Sequence, residues 1–177
     1  MLFAKCCGAT TLGVDGQIID VEVDVANGLP GVEMIGLPDT MVREAKERVR
    51  TAVKNSGIKV MPQKVTINLA PAGIRKDSPG LDLPIAMAMM AAYGIISQES
   101  IEGNLFSGEL SLEGQVRGVA GILPMAIKTK EMGFKGLAPA IGGWDGKHCQ
   151  SKRILDFSFP YNFVLFHEPE YEKNDKI

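Results

Sequence analysis

Between Lys64 and Ala92 the chain reads KVTINLAPAGIRKDSPGLDLPIAMAMMAA, a strand-like segment followed by a glycine- and proline-rich loop and then an apolar helix. Val65, Ile67 and Leu69 alternate with Thr66 and Asn68, the period of two expected of a strand with one buried face. Pro71, Gly73, Pro79 and Gly80 interrupt regular structure after it. Asp82 stands where a helix cap would, and Pro84 fits the first turn of the helix that follows. The rest of the chain is expected to pack around this unit. A loop held between two rigid elements is a common seat of binding or catalysis.

The 177 residues suit one domain with a hydrophobic core, and 45% apolar with 23% charged residues is the composition of a folded chain. A formal net charge of -2 supplies no global field for nucleic acid or an anionic membrane, so any such contact must be local. The N-terminal MLFAKCCGATTLG lacks the apolar core of a signal peptide. The apolar run from Leu83 to Ile96 falls short of the roughly 20 residues that span a bilayer. Three cysteines, Cys6, Cys7 and Cys149, do not form a disulfide framework. The expectation is a cytoplasmic protein with free thiols and no membrane partner.

Along the chain, Leu2 to Leu12 and Gln17 to Val25 read as strands, the second with Ile19, Val21, Val23 and Val25 inward and Asp20, Glu22 and Asp24 facing water. A short strand over Val32 to Ile35 precedes a helix from Thr40 to Asn55, whose apolar stripe is Met41, Val42, Ala45, Val49, Ala52 and Val53. Gly57 closes that helix. Its opposite side aligns Arg43, Lys46, Arg50 and Lys54, a basic stripe that suits either a nucleic-acid or partner contact or a solvated face balanced by Glu44 and Glu47. Asn104 to Leu112 and Gln115 to Val119 are expected to form a hairpin. A helix over Ile122 to Met132 and a strand over Lys135 to Ala138 follow. From Ile141 the character changes, through an aromatic run from Phe157 to Phe166 into a charged tail whose end is expected to be disordered.

Three kinds of chemistry can be weighed. Ser78 with Lys76, Lys128 or Lys130 as base would make a serine-lysine nucleophile, but no third group or oxyanion hole accompanies it, and Ser78 equally serves the Asp77-Ser78-Pro79-Gly80 turn. The GGWDGKH segment ending at His148 fails the GxxxxGK[ST] pattern twice, so the chain contains no Walker-type nucleotide site. Cys6, Cys7, His148 and Cys149 lack metal-ligand spacing, because adjacent residues on a strand point to opposite faces. No metal or cofactor is expected.

Gly28 to Gly57 (GLPGVEMIGLPDTMVREAKERVRTAVKNSG), Val65 to Ala88 and Ser107 to Ala126 (SGELSLEGQVRGVAGILPMA) together resemble the N-terminal domain of the magnesium-chelatase-like AAA+ proteins of the ComM/YifB type. The resemblance covers residues 1–140, leaving 141–177 as a divergent segment that contributes part of a last strand. It implies an α/β (α+β) fold like the proteolytic domain of Lon and ribosomal-protein domain 2, a mixed sheet packed with two or three helices. In the full-length family this domain precedes an ATPase module, assembles into hexamers and serves DNA processing. ATP and magnesium are expected only for that module, which is expected to be absent from a truncated chain such as this. Laid on Lon's serine segment, Lys76 to Asp82 puts Gly80 at the nucleophile's place, and Ala120 to Met125 puts Leu123 at the lysine's. The resemblance therefore implies a non-catalytic DNA- or partner-binding and assembly domain, with Arg75, Lys76, Arg43, Lys46 and Arg50 as candidate contacts. The alternatives are a Lon-type peptidase using Ser78 and a structural remnant that only oligomerises.

Overall fold

The computed structural model describes residues 3–36, 40–74, 76, 79–139 and 164–165. Strand β1 (Phe3–Leu12) turns back as β2 (Asp15–Ala26), and the two pair antiparallel from Phe3↔Asp24 to Leu12↔Asp15. Strand β3 (Gly31–Ile35) leads through helix α1 (Thr40–Asn55) into β4 (Lys64–Ala70), which lies parallel to β3 and antiparallel to β2. A single 3-10 turn, Pro79–Leu81, opens directly into α2 (Asp82–Ala92). The short α3 (Gln98–Ile101), which no periodicity announced, precedes β5 (Asn104–Ser107). Then come β6 (Glu109–Leu110), β7 (Val116–Arg117), α4 (Ile122–Glu131), β8 (Gly136–Pro139) and β9 (Val164–Leu165).

The result is a mixed seven-stranded sheet in the order β3-β4-β2-β1-β5-β8-β9, beside a separate β6-β7 ladder. This mixed α/β architecture is compatible with the Lon-like class expected from the sequence. Among the described residues, no helix is long and apolar enough to cross a membrane.

The alternation in the strands decides which face each helix covers. Ile19, Val21, Val23 and Val25 of β2 and Val65, Ile67 and Leu69 of β4 pack on one side with Ala45, Val49, Ala52 and Val53 of α1. All eleven residues of α2 are buried, and all but Asp82 and Pro84 belong to that same cluster. A helix apolar on every side needs neighbours on every side, and α2 has them in the sheet and α1. On the opposite face α4 sets Met125 against Ala9, Leu105 and Leu137. The middle of β2 holds two acids in pairs: Lys5 bridges Asp20 at 3.1 Å and Asn68 donates to Glu22 at 2.8 Å.

Two glycines shape this packing. A Cβ on Gly8 of β1 would lie 2.8 Å from Pro84 Cγ, so its absence lets the start of α2 sit against the strand. Gly108 corrects the expectation of one long strand over residues 104–112. The chain leaves the main sheet there: β5 pairs with β1 and β8, while β6 pairs with β7 outside that sheet. The break is set from a distance in sequence, since the Gly108 N–H donates to the Gly80 carbonyl at 2.9 Å and the Gly108 carbonyl accepts from the Leu83 N–H at 3.0 Å. Both peptide groups are thus spent on the start of α2 rather than on a neighbouring strand.

Candidate binding surface around the central loop

The strand–loop–helix unit stands as expected, from β4 to α2. Its loop side chains do not all point outward. Lys76 is completely buried, and its Nζ donates to the carbonyl oxygens of Pro71 at 2.7 Å, Ile74 at 2.9 Å and Gly36 at 3.0 Å. An ammonium has three protons, and all three are used. Burial lowers its pKa. The expectation that Lys76 lies on the surface as a DNA or partner contact is therefore corrected: it ties the loop to the turn after β3. A lysine stem beside Ile74 in a sequence gives no sign of this, because the acceptors are backbone groups that any residues would supply. Arg75, Asp77 and Ser78 lie outside the described residues.

Asp82 is the second correction. Its side chain makes no cap bond to α2, whose orphan Leu83 N–H is met instead by Gly108. The fully buried carboxylate accepts two hydrogen bonds from Arg48 of α1, at 2.9 and 3.0 Å, and one from the Leu110 N–H at 3.1 Å. Burial pushes the Asp82 carboxyl up, against the Arg48 hydrogen bonds and the Leu110 N–H that hold it down. Arg48 was not singled out in the sequence, yet a signal existed. It stands among Ala45, Val49 and Ala52 on the apolar side of α1, and Asp82 is the one acid in the apolar α2. Two opposite charges, each misplaced in an apolar setting, are natural partners.

The peptidase alternative gains nothing from the described residues. Of its candidate bases, Lys76 is engaged with carbonyls and Lys128 pairs with Glu131 of its own helix at 3.4 Å. Lys130 is exposed on α4, as is Leu123 at 68%. Gly80 is buried in the 3-10 turn. Cys6 and Cys7 point to opposite faces as adjacent strand residues must, one into each core cluster. Burial raises both thiols, Cys7 to about 11. No group of metal-ligating side chains occurs among the described residues, and His148 and Cys149 lie outside them.

The basic stripe is on α1. Lys46 is half-buried, Arg50 and Lys54 are exposed, and the Arg43 side chain lies outside the described residues. The last turns of the helix form one wall of a groove of about 450 Å³. Val65, Ile58 and Met89 make its apolar floor, and Arg50, Lys54 and Lys59 stand around it. Tyr93, with its hydroxyl on the Met61 carbonyl at 3.3 Å, forms one side. Arg50 lies near enough to oppose the rise that burial imposes on the Tyr93 phenol. The groove ends at the start of β3, an edge strand with no second neighbour among the described residues.

Comparison with known proteins matches residues 21–140 to the family described as subunit ChlI of Mg-chelatase. The YifB protein of Salmonella typhimurium is 45% identical over 122 residues, 69% of this chain and 24% of that protein. The competence protein ComM of Haemophilus influenzae is 37% identical over 131 residues, 74% of this chain and 26% of its own length. Lon protease 2 of Bacillus subtilis is 26% identical over 136 residues, 68% of this chain and 24% of that protein. The chain thus spans about a quarter of the length of these relatives.

Proposed function

The chain belongs to the magnesium-chelatase-like family of the ComM/YifB type, and on that premise we propose that it acts by binding rather than catalysis, as a DNA- or partner-binding and assembly domain of a magnesium-chelatase-like AAA+ ATPase. The observation that carries this reading is the run of Lys46, Arg50 and Lys54 along one side of α1, none of which forms an ion pair with a described residue. Elsewhere Arg48, Lys64 and Arg117 are neutralised by Asp82, Glu33 and Glu109. Arg43 continues the stripe by its helical spacing in the sequence, and Arg75 is a further candidate contact from the sequence alone. The competence role in the name of one relative supports a DNA-processing setting, which we place in the cytoplasm.

The test is retention of fluorescent single- and double-stranded DNA by the chain across a salt series. Each phosphate contact contributes about 0.9 to the log–log salt slope on duplex and about 0.7 on single strands. Lys46→Glu is expected to weaken binding and flatten the slope. Absence of binding at low salt to either form, or a slope unchanged in Lys46→Glu, overturns the DNA role.

A further inference from the structure

We propose that the groove between the C-terminal half of α1, the start of β3 and the end of α2 binds an extended acidic segment of a partner protein through its carboxylates and one or two apolar side chains. This rests on the reading that the domain acts by binding, and it names the class of partner. The groove has two properties that together select such an occupant. Its rim carries three cations, Arg50, Lys54 and Lys59, and no aspartate or glutamate is among the described residues that line it. None of the three cations pairs with a described carboxylate. Anionic groups of a ligand would therefore meet uncompensated positive charge.

The floor is aliphatic and sulfur-bearing. Met89 is 2% exposed and forms part of the floor, whereas Met61 is 67% exposed beside it. Exposed methionine is the adaptable, polarisable surface that peptide side chains use. Single-stranded nucleic acid calls for a series of aromatic rings on which bases stack. Among the described lining residues only Tyr93 is aromatic, one ring rather than a series. A volume of about 450 Å³ lies within the range of about 300–1,000 Å³ typical of ligand sites, and the groove reaches the edge strand β3 at Gly31 and Val32.

The experiment is selection of displayed random heptapeptides on the intact chain, followed by fluorescence anisotropy with the strongest synthetic peptide. Selected sequences are expected to be rich in Asp and Glu interspersed with Leu, Ile, Phe or Met. Lys59→Glu/Met61→Glu alters two exposed groove residues off the α1 stripe and is expected to weaken that peptide at least tenfold, while Lys130→Glu, on the exposed side of α4 away from the groove, changes it less than twofold. Peptides without acidic enrichment, equal binding by the groove double variant, or displacement of the peptide by a thymidine dodecamer overturns the inference. DNA retention on the same variants separates the two readings. If DNA binding persists and the peptide result fails, only the groove inference falls; if neither ligand binds, the binding role falls with it.

Discussion

Arg48 donates from Nε and Nη2 to the two carboxylate oxygens of Asp82, at 2.9 and 3.0 Å, and so fastens α1 to the first turn of α2. The same carboxylate accepts the Leu110 N–H at 3.1 Å, which brings a third segment of chain to one buried acid. Arg48→Met strands that acid and is expected to lower unfolding free energy by about 3–5 kcal/mol in urea titrations. Arg48→Met/Asp82→Leu is expected to lose far less than the sum of the two single variants. Additive losses would show that the pair is uncoupled.

The stranded acid also makes stability depend on pH in a stated direction. Burial already raises the Asp82 pKa in the folded protein, and loss of Arg48 removes the opposing influence. A folded-state pKa above the unfolded value means that the native state holds the proton more tightly. Stability from this group is then complete below the unfolded pKa and is lost as pH rises through the folded one. The Tm deficit of Arg48→Met is therefore expected to be smaller near pH 4 than at pH 8, with Asp82→Asn showing no such narrowing.

Lys76→Met keeps the stem and deletes the ammonium, leaving the Pro71, Ile74 and Gly36 carbonyls without their shared donor. A loss of about 1–3 kcal/mol is expected, together with faster cleavage of the Pro71–Leu81 loop in limited proteolysis. An unchanged cleavage rate would mean that the tie does not hold the loop.

Cys7 is expected to be a poor nucleophile. With its thiol pushed up to about 11, the thiolate fraction at pH 8 is on the order of one part in a thousand, against roughly a quarter for an ordinary cysteine. Iodoacetamide labelling read peptide by peptide in a mass spectrometer should show Cys7 reacting about two orders of magnitude more slowly than a free thiol, with the rate climbing toward pH 11. Rapid labelling at pH 8 would contradict that environment.

Gly8→Ala places a methyl group 2.8 Å from Pro84 Cγ and 3.1 Å from Leu81 Cδ2, and a loss of about 1–3 kcal/mol is expected as the start of α2 is pushed from β1. Gly73→Ala meets nothing within 4 Å and is expected to stay within about 0.5 kcal/mol of the parent. Comparable losses at both positions would remove the packing explanation.

Much of the fold was legible because its signals are periodic. The helix Thr40–Asn55 has the bounds expected from its apolar stripe and Gly57, and β2 and β4 bury the residues that alternation put inward. What escaped depends on partners distant in sequence. The break at Gly108 is set by Gly80 and Leu83, and nothing in residues 104–112 themselves distinguishes one strand from two. Asp82 looks like a cap because the sequence around it is that of a helix start; only the approach of Arg48 gives it another use. Lys76 looks like a surface cation because lysine usually is one. The basic stripe was visible, but its continuation through Lys59 to a groove required the turn after α1 to be folded back toward β3.

The parallel pairing of β1 with β5, Cys7 beside Leu105 and Gly8 beside Phe106, has a consequence for how the chain is made. On a ribosome adding about 5–20 residues per second, some 5–20 seconds separate the synthesis of β1 from that of the strand that closes its far edge. During that interval β1 and β2 can already form a hairpin, but the β1 edge stays an open ladder of peptide groups throughout, and the β2 edge does too until β4 is made. Nascent copies on one messenger are then most exposed to cross-pairing before residue 105 emerges, and a helper that shields an edge strand has its greatest effect in that window.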